Sequence, residues 1–189
     1  MKQQEPARRG SGQSPTDPGL LASPLDFISE DHLRERQICA EIDGLASATA
    51  FDRRAGVTIM RFLNEELGVH FRDEAEDLFP VLAQRCTKED SIESVLGRIR
   101  SDQQEALALL PKVRDALAGC LDTGSDLSDA DRAVLTRFAG HMRRHLVAEN
   151  AILLPIARAR LTKSDLRMLS ARMRWRRGLP PSTETNRAE

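Results

Sequence analysis

Two segments of this 189-residue chain repeat the same arrangement of a histidine and a glutamate. His70 precedes Glu74 by four residues, and His145 precedes Glu149 by the same interval. Each pair is followed by a related triplet that ends in proline: Leu78-Phe79-Pro80 in the first segment and Leu153-Leu154-Pro155 in the second. Residues four apart on a helix lie on one face, one turn above each other. Each segment therefore presents an imidazole and a carboxylate in one direction, which is how helical bundles build metal sites in their interior.

Four long helical patterns and a short fifth surround these segments. The predicted starts are Ser23-Pro24 for the first helix, near Phe51 for the second, Thr87-x-x-Asp90 for the third, near Ser128-x-x-Asp131 for the fourth, and Thr162-x-x-Asp165 for the fifth. Apolar residues recur at alternating intervals of three and four along the four long patterns, as bundle helices require. On the second helix the predicted buried face continues to Asp77 and Val81, and on the fourth it continues to Ile152 and Ile156.

The loops between successive helices are short, so neighbouring helices should be antiparallel. The sequence therefore predicts an all-α fold: an up-down-up-down four-helix bundle with a short extra C-terminal helix and disordered tails. The predicted organisation is a disordered N-terminal tail at residues 1–22, the bundle at 23–162, the short helix at 163–178 and a disordered tail at 179–189. Both tails are rich in polar residues and proline and have few apolar residues with which to form a core.

Composition argues against several classes of partner. The net charge is −1, aromatic residues make up 4% of the chain and tyrosine is absent, so neither nucleic acid nor an anionic membrane is an expected partner. The three cysteines, Cys39, Cys86 and Cys120, show no paired spacing that would indicate a disulfide framework or a zinc finger. No apolar run approaches the length of a membrane span or a signal sequence. We expect a soluble cytoplasmic protein.

All four histidines of the chain fall on a predicted core-facing stripe, and three glutamates share those stripes. The histidines are His32, His70, His141 and His145, and the glutamates are Glu35, Glu74 and Glu149. A carboxylate or imidazole in an apolar interior costs several kcal/mol unless it is paired or bound to a metal. A lone histidine on an apolar face is usually a hydrogen-bonded core residue, but two repeated pairs at bundle register favour a bound cation.

The sequence resembles the hemerythrin-like, or HHE cation-binding, family over about residues 24 to 162. The resemblance is carried by Asp31-His32 on the first helix and by the two long motifs that begin at His70 and His145. It implies a four-helix bundle around a non-haem di-iron centre, in which one iron is held by histidines of the first and second helices and the other by histidines of the third and fourth. Carried over to this chain, the implied ligands are His32, His70, Glu74, His145 and Glu149.

The third helix departs from the family pattern. The family has an acidic residue followed by histidine there, whereas this chain has Asp102-Gln103, and a neutral amide is a poor substitute for imidazole. Several outcomes are open: the second iron keeps an open position, His141 takes the place of the missing imidazole, or Asp102 or Glu35 supplies a carboxylate. A further alternative is that one iron binds instead of two.

Glu35 has other readings as well. It is either a ligand, a partner that orients His32, or a partly exposed salt-bridge residue, and the last two are the more common roles for such a carboxylate. We expect iron as the cofactor, with two ions in the centre and one ion as the alternative.

The resemblance implies a protein that binds or senses dioxygen, nitric oxide or redox state. The alternative is an enzyme-like di-iron role, such as peroxide breakdown, iron oxidation or storage, or iron donation for iron–sulfur repair. A third reading is a structural module stabilised by its metal. We favour binding over catalysis, because the sequence offers no nucleophile or general base apart from the proposed ligands. A small diatomic ligand is the expected partner, and the sequence leaves the identity of any protein partner open.

Overall fold

The computed structural model describes residues 11–181, and over that range every regular element is helical. The α-helices are α1 (Pro24–Ser47), α2 (Arg53–Glu65), α3 (Leu67–Arg72), α4 (Phe79–Arg85), α5 (Ile92–Thr123), α6 (Asp129–Ala148), α7 (Leu154–Arg160) and α8 (Lys163–Arg176). Two π-helical segments, Asp73–Leu78 and Glu149–Leu153, and two 3-10 helices, Pro18–Ala22 and Lys88–Asp90, complete the described chain.

The elements form four long helices and a shorter fifth. The second long helix consists of α2, α3, the first π segment and α4, and the fourth consists of α6, the second π segment and α7. Helix α1 contacts α2 and α6, and α5 contacts the same two helices, so that the four long helices close a ring. This pattern is consistent with the predicted up-down-up-down bundle. The fifth helix, α8, packs on α1 and on the first π segment.

Two apolar clusters fill the bundle interior. One contains Ile38 and Leu63, and the other contains Ile28 and Leu78, all with no more than 1% of their surface exposed. On α1 the polar residues His32 and Glu35 lie between Ile28 of one cluster and Ile38 of the other. A buried polar layer therefore separates two apolar regions, each of which excludes water from one side of that layer.

The two π segments shift the buried face by one residue. The N–H of Phe79 donates to the carbonyl of Glu74, and the N–H of Leu154 donates to that of Glu149, five residues back in each case. A π turn contains one residue more than an α turn, so the inward positions that follow it move one place along the chain.

The prediction that Val81, Ile152 and Ile156 continue the buried faces was therefore wrong. Ile152 is 42% exposed, and Val81 and Ile156 are partly exposed. The buried residues at these places are Leu78, Leu82, Leu153 and Ala157, each with 0% exposure. The prolines fit the same geometry, since Pro80 and Pro155 occupy the first turns of α4 and α7, where a missing N–H costs least.

The predicted helix starts agree with the structure at three of the four polar start signals. Helix α1 begins at Pro24, directly after Ser23. Capping boxes form at Ser128 with Asp131 and at Thr162 with Asp165. Thr87 and Asp90 also form a capping box, but it encloses the 3-10 helix Lys88–Asp90. Helix α5 begins afterwards at Ile92, because Ser91 adopts a left-handed conformation with φ of 50° that interrupts the helix.

The end of the predicted N-terminal tail differs from the expectation of disorder. Pro18–Ala22 is a 3-10 helix in which Leu21 is fully buried, and the Leu21 carbonyl accepts a hydrogen bond of 2.6 Å from the Ser170 hydroxyl. This segment packs against both α1 and α8. The remaining tail predictions for residues 1–10 and 182–189 lie outside the described residues. No helix within residues 11–181 is both long and apolar enough to span a membrane.

Candidate metal centre

Seven polar side chains meet in the buried layer between the apolar clusters. His32 and Glu35 come from α1, His70 from α3, Gln103 from α5 and His145 from α6, while Glu74 and Glu149 are the residues whose carbonyls close the two π turns. None of these seven residues is more than 5% exposed. Bulk water therefore has little access to any of these seven side chains.

Four of these side chains surround one point. His32, His70, Glu74 and Glu149 each offer a ligand atom, and the four atoms all lie within 4.8 Å of one another. Nε2 of His32 is 3.6 Å from Oε1 of Glu74 and 3.4 Å from Oε2 of Glu149. Nε2 of His70 is 3.5 Å from the same Oε1 of Glu74.

Glu35 and His145 extend this group. Oε1 of Glu35 is 2.9 Å from Nε2 of His70, and Oε2 of Glu35 is 3.4 Å from Nε2 of His145. Nε2 of His145 is in turn 3.9 Å from Oε2 of Glu149. The carboxylate of α1 thus lies between two imidazoles that come from different helices.

The atoms that face the centre have no hydrogen-bond partner, although they are close together. They are Nε2 of His32, His70 and His145, both oxygens of Glu35, Oε1 of Glu74 and Oε2 of Glu149. Buried polar atoms without partners are costly, and proteins rarely keep several of them at one place. Imidazole nitrogens and carboxylate oxygens are the natural ligands of iron, manganese and zinc ions. These residues therefore fit a metal cation.

Gln103 lies where the resemblance implies a histidine, and its side chain forms hydrogen bonds with Glu74 and Glu149. Its amide Nε2 donates a 2.7 Å hydrogen bond to Oε2 of Glu74 and a longer one of 3.5 Å to Oε1 of Glu149. An amide nitrogen has no free lone pair to offer a cation. Gln103 therefore holds the outer oxygen of each carboxylate and leaves the inner oxygens directed at the histidines.

The structure does not bring His141 or Asp102 into the centre. Nδ1 of His141 lies 3.5 Å from Oδ1 of Asp102, and the same oxygen accepts a 3.0 Å hydrogen bond from Arg144. The His141 side chain is 12% exposed and also contacts Arg144. Only three of the four histidines are thus buried in the core, because His141 faces α5 at the edge of the bundle.

Asp31 is a neighbour of the centre whose contact the sequence did not predict. Its Oδ2 is 3.3 Å from Nδ1 of His70, on the far side of the ring from the cluster. A carboxylate on one ring nitrogen fixes the orientation and tautomer of a metal-binding histidine. The available signal was the position of Asp31 directly before His32, one residue from a predicted ligand.

Burial and mutual charge set the protonation of the centre. Burial raises the pKa of Glu149 to about 8 and also raises the pKa of Glu74. Burial opposes the ionised form of Glu35 as well, but the facing His70 and His145 hold the pKa of Glu35 below its ordinary value. The centre therefore does not favour the ionisation of all three glutamates when no cation is present.

The histidines respond to the same charges. Burial would lower the pKa of His145, but Glu35 and Glu149 raise it to about 9. The pKa of His70 is likewise raised, because Glu35 and Glu74 outweigh its burial, whereas burial lowers the pKa of His32. Protons thus partly neutralise the carboxylates, and a metal cation would displace them on binding.

A helical bundle with a buried layer of histidines and glutamates belongs to the class of cation-binding helical domains. The comparison with protein families is more specific: residues 23–157 match the model of the hemerythrin HHE cation binding domain. The chain belongs to this family, and the resemblance carried by the two repeated motifs is confirmed. No curated protein matches the chain.

Proposed function

We propose that the chain binds iron in this centre and that it binds or senses dioxygen, nitric oxide or redox state. The observation that carries the proposal is the set of buried ligand atoms without hydrogen-bond partners around His32, His70, Glu74 and Glu149. The ligand types permit several metals, and iron is chosen because the hemerythrin-like resemblance implies it. Bound iron would supply redox chemistry and an affinity for diatomic ligands.

The residues around the centre support a small ligand rather than a large one. Each of the clustered histidines and glutamates is at most 3% exposed, so an organic substrate has no open approach along these side chains. Phe71 packs its ring edge-on against His145, with 5.5 Å between ring centroids, and adds an apolar wall. A dry interior of this kind excludes water and admits molecules of the size of dioxygen or nitric oxide most readily.

A cytoplasmic location is part of the proposal. Cys39, Cys86 and Cys120 are all unpaired, as in proteins of reducing compartments.

The test is metal content and optical spectroscopy on protein purified without oxygen and loaded with Fe(II). We expect bound iron after desalting, and a change in the near-ultraviolet and visible spectrum on exposure to dioxygen or nitric oxide. Wild-type protein that retains no iron, or whose spectrum responds to neither gas, would contradict the proposal. Continued consumption of added peroxide would favour the enzyme-like alternative.

The chain offers a matched pair of histidine variants. His32→Ala removes an imidazole inside the cluster and should reduce iron retention at least tenfold, whereas His141→Ala removes one outside it and should retain iron as the wild type does. Far-ultraviolet circular dichroism confirms that both variants remain helical. Equal iron loss in the two variants would mean that iron does not bind at the cluster.

A further inference from the structure

Glu35 is the cluster residue for which the repeated motif provides no role. It is 1% exposed, and neither carboxylate oxygen has a hydrogen-bond partner. One oxygen lies 2.9 Å from Nε2 of His70 and the other lies 3.4 Å from Nε2 of His145. Both oxygens therefore face imidazole nitrogens that also face the centre.

A purely structural role would give Glu35 a different geometry. A buried carboxylate that only accepts hydrogen bonds is normally aligned with its N–H donors, since misalignment forfeits most of the bond. The two histidine nitrogens approach Glu35 closely without that alignment, and they remain unpartnered. Close but misaligned donors around an unpaired carboxylate are the arrangement expected of ligands that share a cation.

The donors around Glu35 form two sets that overlap at Glu149, because Oε2 of Glu149 lies 3.4 Å from Nε2 of His32 as well as 3.9 Å from Nε2 of His145. His32 and His70 approach Oε1 of Glu74 on one side. His145 approaches Glu149 on the other side, with 3.9 Å between Nε2 and Oε2. The first set has two imidazoles and the second has one, because α5 presents Gln103 to the centre where a second imidazole would complete the pattern.

We propose that Glu35 bridges two divalent cation positions, one at His32, His70 and Glu74 and the other at His145 and Glu149. Glu35 compensates at the second position for the imidazole that α5 does not provide, while Gln103 orients the two glutamates. This inference rests on the proposed function, since it requires that the cluster holds metal. It adds a third carboxylate to the centre, which favours hard cations such as iron or manganese.

The experiment counts Fe(II) ions retained per chain after anaerobic loading and desalting. We expect about two in the wild type and about one in Glu35→Gln, which keeps the shape of the side chain and removes its charge. Glu41→Gln on the same helix is the matched control and should retain two. The double variant Glu35→Gln/Gln103→His places an imidazole on α5 and should restore the second ion.

The outcomes separate the inference from the proposed function. Wild-type protein with no iron would overturn both. Wild-type protein with one ion, or Glu35→Gln with two, would overturn the bridging role alone and leave iron binding intact. A Glu35→Gln variant that retains one ion but is not restored by Gln103→His would also count against it, because the two residues would then not be complementary.

A second readout does not depend on any variant. Wild-type protein loaded with Mn(II) should give the electron paramagnetic resonance spectrum of a magnetically coupled pair, since a shared carboxylate holds two ions close together. The spectrum of isolated Mn(II) ions would overturn the bridge. An uncoupled spectrum would overturn the inference even if Glu35→Gln does not fold, and a coupled one is the result that the inference requires.

Discussion

The two histidine–glutamate repeats have the same inner face and different outer faces. Both contain a π turn closed by the carbonyl of their glutamate, and both place the following leucine in the core. The positions three, six and seven residues after the histidine are acidic in the first repeat and apolar in the second. They are Asp73, Glu76 and Asp77 in the first, and Ala148, Ala151 and Ile152 in the second.

The acidic positions of the first repeat contact arginines of α8. Arg176 is 6% exposed on its side chain and contacts Asp73, Glu76 and Asp77 together. Arg172 adds a contact of 2.8 Å to Asp77, and Arg177 adds one of 2.7 Å to Asp73. The acidic outer face of the first repeat is therefore covered by arginines of α8.

Within residues 11–181, the outer face of the second repeat is largely exposed. Val147 is 63% exposed and Ile152 is 42% exposed. Within this motif, the shared residues line the candidate metal centre. The residues that differ lie on the outer face, which α8 covers in the first repeat.

Replacing Arg176 with alanine should lower the stability of the fold the most, because it removes the arginine that contacts all three acidic residues of the first repeat. Removing one partner of a buried ion pair costs about 3–5 kcal/mol. We expect about 2–3 kcal/mol here, since Arg172 and Arg177 still contact Asp77 and Asp73. Urea unfolding measures the loss. Arg167→Ala, on the exposed side of α8, is the control and should change stability little. Similar losses in both variants would mean that the acidic face does not hold α8.

Replacing Gln103 with alanine should have the next largest effect, because Gln103 connects the two repeats. The change removes hydrogen bonds to two buried carboxylates, which costs about 1.5–3 kcal/mol in the metal-free protein. Gln104→Ala alters the exposed neighbour and is the matched control. Urea unfolding of the two variants in the presence of a chelator measures the difference.

Double-mutant cycles can then compare the repeats directly. The coupling energy of Gln103 with Glu74 should exceed that with Glu149, since the two hydrogen bonds measure 2.7 Å and 3.5 Å. Equal coupling would mean that Gln103 holds both repeats in the same way.

The stability of the metal-free protein should depend on pH through the histidine and glutamate of the second repeat. The pKa of Glu149 rises from 4.5 to about 8 on folding, and that of His145 rises from 6.5 to about 9. Between pH 6.5 and 8 the folded state binds more protons than the unfolded state, so stability falls as the pH rises. Each proton contributes at most about 1.4 kcal/mol per pH unit.

Urea unfolding at several pH values, with a chelator present, checks this slope. Glu149→Gln cannot ionise and should make the slope shallower. An unchanged slope in that variant would assign the pH dependence to other groups.

The pairs at His70 with Glu74 and at His145 with Glu149 could be predicted from the sequence, because a spacing of four residues fixes one helix face. The same spacing wrongly placed His141, four residues before His145, on the face that points to the centre. Four residues advance a helix by about 40° more than one turn, so His141 turns away from the centre toward Asp102. Spacing alone does not show which member of such a series lies at the middle of the face.

The π turns could not be read from apolar periodicity, because one additional residue in a turn leaves both neighbouring patterns intact. In the first repeat the adjacent residues Leu78 and Phe79 are both fully buried. In the second repeat Leu153 is fully buried and its neighbour Leu154 is 4% exposed. Two adjacent apolar residues directly before a proline were the available signal. The role of Gln103 was also beyond the sequence, since the direction of its amide depends on two glutamates from other helices.

Replacing Ile152 with aspartate should have the smallest effect, although it recreates on the second repeat the residue found at Asp77 of the first. Ile152 is partly exposed, so we expect a loss of about 1 kcal/mol, below the 1.5–3 kcal/mol that burial of a whole isoleucine contributes. The matched change Asp77→Ala should cost more, because it removes the carboxylate that contacts Arg172 and one of the two buried carboxylates that contact Arg176. Thermal unfolding of the two variants compares them. A larger loss from Ile152→Asp would mean that the outer face of the second repeat is also covered in solution, and the contrast between the repeats would then lie in the kind of covering rather than in its presence.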